Sequence, residues 1–295
     1  MAEAEIPVDL LNPGQVFACL GLMEAVEILC GQPCEGVFAY QDTKTATHFR
    51  LRVDGETDPI QRVVAFLAKS KAIAVAPMGA DLTTSKWGVE TQIEHESYPA
   101  PVPKTPATLA IMLRTEGHDI RVVYWLGGSH CGCDNVKFWA GAGGYPGAAL
   151  ARDAIAILSP LSQDAVAEIA GDPFSFSAPM SSSFRFDWRR DYVPLDAGFS
   201  LNEHGAMTAV GYPLVELLAA IGMQNARPQR PNPRDKLNYC YAVCNAALPT
   251  IFARAMLGGA SLGFPIRTFR MRLDWPGQEG QARCIVDVRE ENSAQ

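Results

Sequence analysis

IPVDLLNPGQVFACLGLMEAVEILCG, residues 6–31, is the stretch on which the fold reading turns. Ile6–Leu10 reads as a short strand. Asn12 followed by Pro13 is a helix start, because the Asn side chain accepts from orphan amides and a first-position proline lacks an amide the helix would not use. Val16, Phe17, Leu20, Met23, Ala25, Ile28 and Leu29 spread around most of the helix, and Gly31 ends it. A helix apolar on most sides is expected to be buried on more than one.

Working outward, Gly36–Tyr40 and Thr45–Val53 alternate as a strand pair around Gln41–Lys44. Asp58 and Pro59 open a second helix to about Ser70, and Ala72–Ala76 is a short apolar strand. The order β-α-β-β-α-β resembles a ferredoxin-like opening. Residues 77–105 read as a loop, and Leu109–Arg114 with Asp119–Leu126 as a hairpin. Helices are expected at about Ala148–Leu158, Asp164–Ala170, Pro213–Ala226 and Leu248–Leu257. Leu237–Val243 is a strand, and Ile266–Trp275 with Ala282–Arg289 forms a final hairpin. The expected class is α+β, with mainly antiparallel sheets and packed helices. One compact protein over residues 1–295 is expected, divisible into a βαββαβ unit, 1–105, and an arginine-rich part, 106–295.

Composition narrows the function classes. At 48% apolar and 19% charged residues, the chain is globular rather than disordered. No run of eighteen apolar residues marks a membrane span. MAEAEIPVDLL has no basic stretch leading into an apolar one, so a cytoplasmic protein without a membrane partner is expected. The eight cysteines are expected to be free thiols there. A net charge of −7 argues against non-specific DNA coating. The charge is uneven: residues 1–180 hold 12 Lys/Arg against 21 Asp/Glu, whereas residues 181–275 hold 11 against 7. Ten of those 11 are arginines, which suit forked contacts with phosphate or carboxylate.

The segment SSSFRFDWRRDYVPLDAGFS, 181–200, interleaves rings and guanidinium groups, giving stacking faces and phosphate donors. Arg185, Arg189 and Arg190 are the leading candidates for nucleic-acid contact. Phe184, Phe186 and Trp188 either stack on bases or form one buried strand face, which would turn Arg185, Asp187 and Arg189 outward together. The alternative is that these arginines pair with Asp187, Asp191 and Asp196. Arg267, Arg270 and Arg272 form a second set, with Arg270 and Arg272 opposite Phe269, Met271 and Leu273 on one strand: a basic stripe that tracks phosphates, or an ordinary solvated face. In KFWAGAGGYPG, 137–147, Lys137 and a glycine-rich helix entry suit an anion, or simply a tight turn.

Two constellations suggest catalysis. His130, Cys131 and Cys133 with Cys240 and Cys244 have no standard zinc spacing, and residues four apart on a strand lie about 13 Å apart. His204 lies beside Glu203, but no nucleophile or metal triad accompanies it. No catalytic residue, metal or cofactor is therefore expected.

Five blocks, 6–25, 137–155, 181–205, 211–222 and 269–288, together look like one family. The chain resembles the small Csb-type CRISPR-associated proteins of type I-U (I-G) loci. That resemblance implies a non-catalytic subunit of Cascade, an RNA-guided surveillance complex. Its partners would be guide RNA, target DNA, the other Cascade subunits and the helicase-nuclease. A large-subunit role is implied, with motif contact and helicase-nuclease recruitment. The alternatives are a RAMP-type backbone subunit, or a metal-dependent nuclease or hydrolase.

Overall fold

The computed structural model describes residues 1–40, 47–55, 57–95, 105–122, 145–189, 208–232, 234–235, 237–274 and 283–291. The first elements are β1 (Ala2–Val8), α1 (Pro13–Cys30), β2 (Cys34–Ala39), β3 (Thr47–Val53), α2 (Pro59–Lys69) and β4 (Lys71–Pro77). Then come β5 (Glu90–Glu94), β6 (Ala110–Arg114), β7 (Asp119–Val122), α3 (Gly147–Leu158), α4 (Gln163–Ala170) and β8 (Ala178–Pro179). The last are β9 (Val210–Gly211), α5 (Pro213–Gly222), β10 (Asn238–Cys244), β11 (Leu248–Pro249), α6 (Thr250–Leu257), β12 (Ile266–Asp274) and β13 (Cys284–Glu291). The class is α+β, and among the described residues every strand pairing but one is antiparallel.

The opening has the element order read from the sequence, but it divides between two sheets. The first sheet runs β1-β3-β2-β11. Its first three strands take the order a ferredoxin-like unit would use. β4, however, does not return beside β1; it enters a second sheet, β5-β4-β6-β7. β5 lies inside the stretch read as loop and pairs in parallel with β4. Its sequence, ETQIE, is too polar and short to give an apolar period. β4 and β6 are buried on both faces: Ile73, Val75, Ala110 and Met112 form a cluster apart from the main core. A third sheet runs β10-β12-β13.

The sequence signals at α1 are realised in full. Asn12 caps it by accepting from the Gln15 amide, and Gly31 closes it in the left-handed region at φ 66°. α1 is long and apolar enough to cross a membrane, yet 83% of it is buried inside the chain. Its neighbours explain this. β2 and β3 pack on one side, α2 and α6 flank it, and α5 crosses it. At its start the third sheet closes in: Phe17 meets Tyr241 edge-on at 5.8 Å, and Tyr241 stacks on Phe269 at 5.3 Å. The Tyr241 hydroxyl donates to the Leu10 carbonyl at 2.7 Å, so its one polar atom is satisfied in the core.

α1 and α5 cross with their backbones touching. A side chain at Gly21 would meet the Leu218 carbonyl, and one at Gly222 would meet the Phe17 carbonyl. α5 ends at Gly222 rather than Ala226, because Met223 and the residues after it turn away from the helix.

Candidate functional site

The basic segment adopts neither strand nor helix over residues 181–189. Phe184 and Phe186 are each 1% exposed and stack at 5.9 Å, as the buried-face reading expects. The rest of the alternation fails, and this corrects the expectation that Arg185, Asp187 and Arg189 face out together. Arg185 takes φ 66°, alone among the described non-glycine residues, and so departs from extended backbone between the two rings. Asp187 turns inward, with its side chain fully buried, and Trp188 emerges 39% exposed.

The inward turn has a clear polar cause. The Asp187 carboxylate accepts from Asn12 Nδ2 at 2.9 Å, from the Arg189 amide at 2.9 Å and from Arg189 Nη2 at 2.6 Å. Asn12 thus caps α1 with its oxygen and holds Asp187 with its nitrogen. Arg189 also donates to the Phe174 carbonyl at 2.8 Å, and its guanidinium lies 3.6 Å above the Tyr212 ring. These bonds hold Arg189 against the protein, with its side chain 31% exposed, in the pairing with Asp187 that the self-pairing alternative describes.

Glu216 secures the same segment from the first turn of α5. It is 1% exposed and accepts from the Phe186 amide at 3.3 Å and the Asp187 amide at 3.0 Å. Burial is the main reason its carboxyl is pushed up to about 7, and the neighbouring Asp187 charge adds to the rise. Ser182 ties the front of the segment to Asp153 of α3 at 2.6 Å. The Ser183 hydroxyl accepts from the Arg185 amide at 2.9 Å. The result is a knuckle fixed at several points that exposes Trp188 and leaves Arg185 half-buried. Arg190 and Lys137 lie outside the described residues, as do Asp191, Asp196, His130, Cys131, Cys133 and His204.

The second arginine set shows the expected alternation but not a bare cationic stripe. Phe269, Met271 and Leu273 are buried, while Arg270 and Arg272 point the other way. Each meets a carboxylate: Arg270 binds Glu291 at 2.5 Å, and Arg272 binds Asp274 at 3.0 Å. Arg267 makes two bonds to Glu290, at 2.7 and 2.8 Å, and lies 5.0 Å from the Tyr40 ring. β13 supplies Asp287 opposite Arg272, Glu291 beside Arg270 and Arg289 opposite Arg270, so carboxylates and guanidinium groups share this face. Glu290 and Glu291 are brought in by strand register, whereas Asp274 lies two residues from Arg272 in the chain.

Exposed or half-exposed ion pairs of this kind contribute about 0.2–1 kcal/mol. Arg272→Ala is therefore expected to shift the urea midpoint only slightly and to leave any nucleic-acid affinity of the chain unchanged. A large loss of affinity in that variant would restore the stripe as a contact surface.

Among the described residues, no three His, Cys, Asp or Glu side chains group as metal ligands. The described cysteines are free thiols, and burial pushes Cys34 up to about 12 and Cys240 up to about 11, which makes both poor nucleophiles. No protein-family model, curated protein or solved structure matches the chain.

Proposed function

We propose that the chain is a non-catalytic subunit of an RNA-guided type I-U (I-G) surveillance complex, and that it contacts target DNA or guide RNA through the knuckle at Arg185 and Trp188. The observation that carries the reading is Trp188, a large ring 39% exposed beside fully buried Phe184 and Phe186. A fixed ring costs little entropy on stacking, and stacking on a base contributes about 1–3 kcal/mol. Arg185 sits three residues away at φ 66°, a conformation that costs about 1–2 kcal/mol and is retained where the surroundings hold it. The five-block sequence resemblance supplies the larger assembly. In such an assembly, guide pairing reads the sequence and the protein reads backbone shape and a short motif. An acidic chain fits this role when other subunits provide most of the phosphate attraction.

The backbone-subunit alternative draws on the β1-β3-β2 order. The departure of β4 into another sheet weighs against it. Metal analysis of the purified chain tests the hydrolase alternative, which a stoichiometric metal would revive.

The test of the main reading uses the assembled complex with guide RNA. Trp188→Ala is expected to weaken target DNA binding roughly tenfold, with unchanged circular dichroism. Arg185→Ala is expected to weaken it and to reduce the salt slope by about one. Unchanged affinity and unchanged slope in both variants would overturn the reading.

A further inference from the structure

We propose that Glu216 sets a pH-dependent grip on the 183–189 knuckle, which opens more often as the solution becomes less acidic. The geometry comes first. Both carboxylate oxygens are used, one on the Phe186 amide and one on the Asp187 amide, with the Ser183 hydroxyl as a further donor. The group is 1% exposed, and Asp187, also buried, is its nearest charged neighbour. Two carboxylates thus share one dry pocket, and Arg189 lays its guanidinium on Asp187.

The charged groups on the elements packed against α5 are committed elsewhere. On α1, Glu24 holds Arg254 and Asn225, and Glu27 holds Thr250 and the Cys34 amide. On α3, Arg152 and Asp153 hold each other, and Asp153 also holds Tyr145 and Ser182. On β7, Asp119 pairs with Arg114 and Arg121 with Glu94. None of these neutralises Glu216 when it ionises.

The sign follows from linkage. In the closed knuckle Glu216 titrates at about 7, against an ordinary value of 4.5. Opening the knuckle hydrates the carboxyl and returns it toward the ordinary value. The closed form therefore holds the proton over a window where the open form has lost it, so acid favours closure. Its full stabilisation is present below the ordinary value and is lost as pH rises to about 7. Across that window the opening equilibrium climbs roughly tenfold per pH unit, then levels off.

The experiment is amide hydrogen exchange of Phe186 and Asp187 in the full chain without nucleic acid, from pH 5 to 8, beside E216Q. Gln keeps the shape and an acceptor oxygen but does not titrate. Wild-type protection, after correction for intrinsic exchange, is expected to fall toward pH 7 and then plateau, while E216Q stays flat. A wild-type to E216Q protection ratio constant across the range would overturn the proposal. Should E216Q not fold, the Gln229–Cys240 amide pair serves as internal reference, since its bonds lie in the third sheet away from Glu216. Equal pH dependence at both places would likewise overturn it. The inference stands or falls without the knuckle touching DNA, because no nucleic acid is present in the measurement.

Discussion

Gly21→Ala is expected to destabilise the chain by about 3 kcal/mol or more, read as a lower urea midpoint with an unchanged far-UV spectrum at zero denaturant. In an exposed helix this change would stabilise, because alanine is the better helix former by about 1 kcal/mol. Here the added methyl falls against the Leu218 carbonyl, which belongs to the backbone of α5 and cannot rotate away. The reciprocal contact, Gly222 on the Phe17 carbonyl, means that neither helix can slide to relieve the other. Separating them would also strip Phe17 from Tyr241 and pull the start of α1 from the third sheet. Gly117→Ala is the control. It has open space around it and no left-handed φ, so its expected effect is close to zero. Equal midpoints for the two variants would show that α1 and α5 do not cross at backbone contact.

That crossing was only half legible in the sequence. The helix α1 was readable to within a residue, because Asn12, Pro13 and Gly31 are local signals whose chemistry acts on the chain immediately beside them. α2 and the β2/β3 and β12/β13 pairs were readable for the same reason. The all-round apolar surface of α1 announced deep burial, but not that α5 would supply one of its walls. β5 was invisible because a parallel edge partner of β4 needs no apolar alternation of its own. The site was less legible still. Alternation rules assume an extended backbone, and Arg185 leaves it at φ 66°; Phe186 is still buried as alternation expects, but Asp187 and Trp188 are inverted. Charge counting located the arginines, and the self-pairing alternative named Asp187, but the acids that meet Arg267 and Arg270 were not legible. Glu290 and Glu291 are brought to Arg267 and Arg270 by hairpin register. Asn12 is brought to Asp187 across 175 residues of chain. A mid-helix glutamate in an otherwise apolar α5 was the one local hint that something polar would be met inside, and Glu216 proved to be the other anchor of the knuckle.

Asp187→Ala carries the second large effect and separates anchoring from contact. Removing this carboxylate strands the Arg189 guanidinium between Tyr212 and the Phe174 carbonyl and leaves Asn12 Nδ2 without its acceptor. Breaking one partner of a buried ion pair typically costs 3–5 kcal/mol, because the remaining charge stays desolvated. The expected result is a destabilisation of about that size. Arg189→Ala is expected to cost less, since its side chain is 31% exposed, and since Asp187 keeps Asn12 and the residue-189 amide. The double variant should cost clearly less than the two single losses together, because each single change already removes the shared interaction. Additive losses would mean that the pair is not coupled. This ordering bears on the functional reading. If Arg189 served mainly as a phosphate donor, its removal would lower DNA affinity while leaving the urea midpoint in place. The interior bonds lead to the reverse: stability falls first, and affinity falls only as far as the knuckle that carries Trp188 loses its fixed shape.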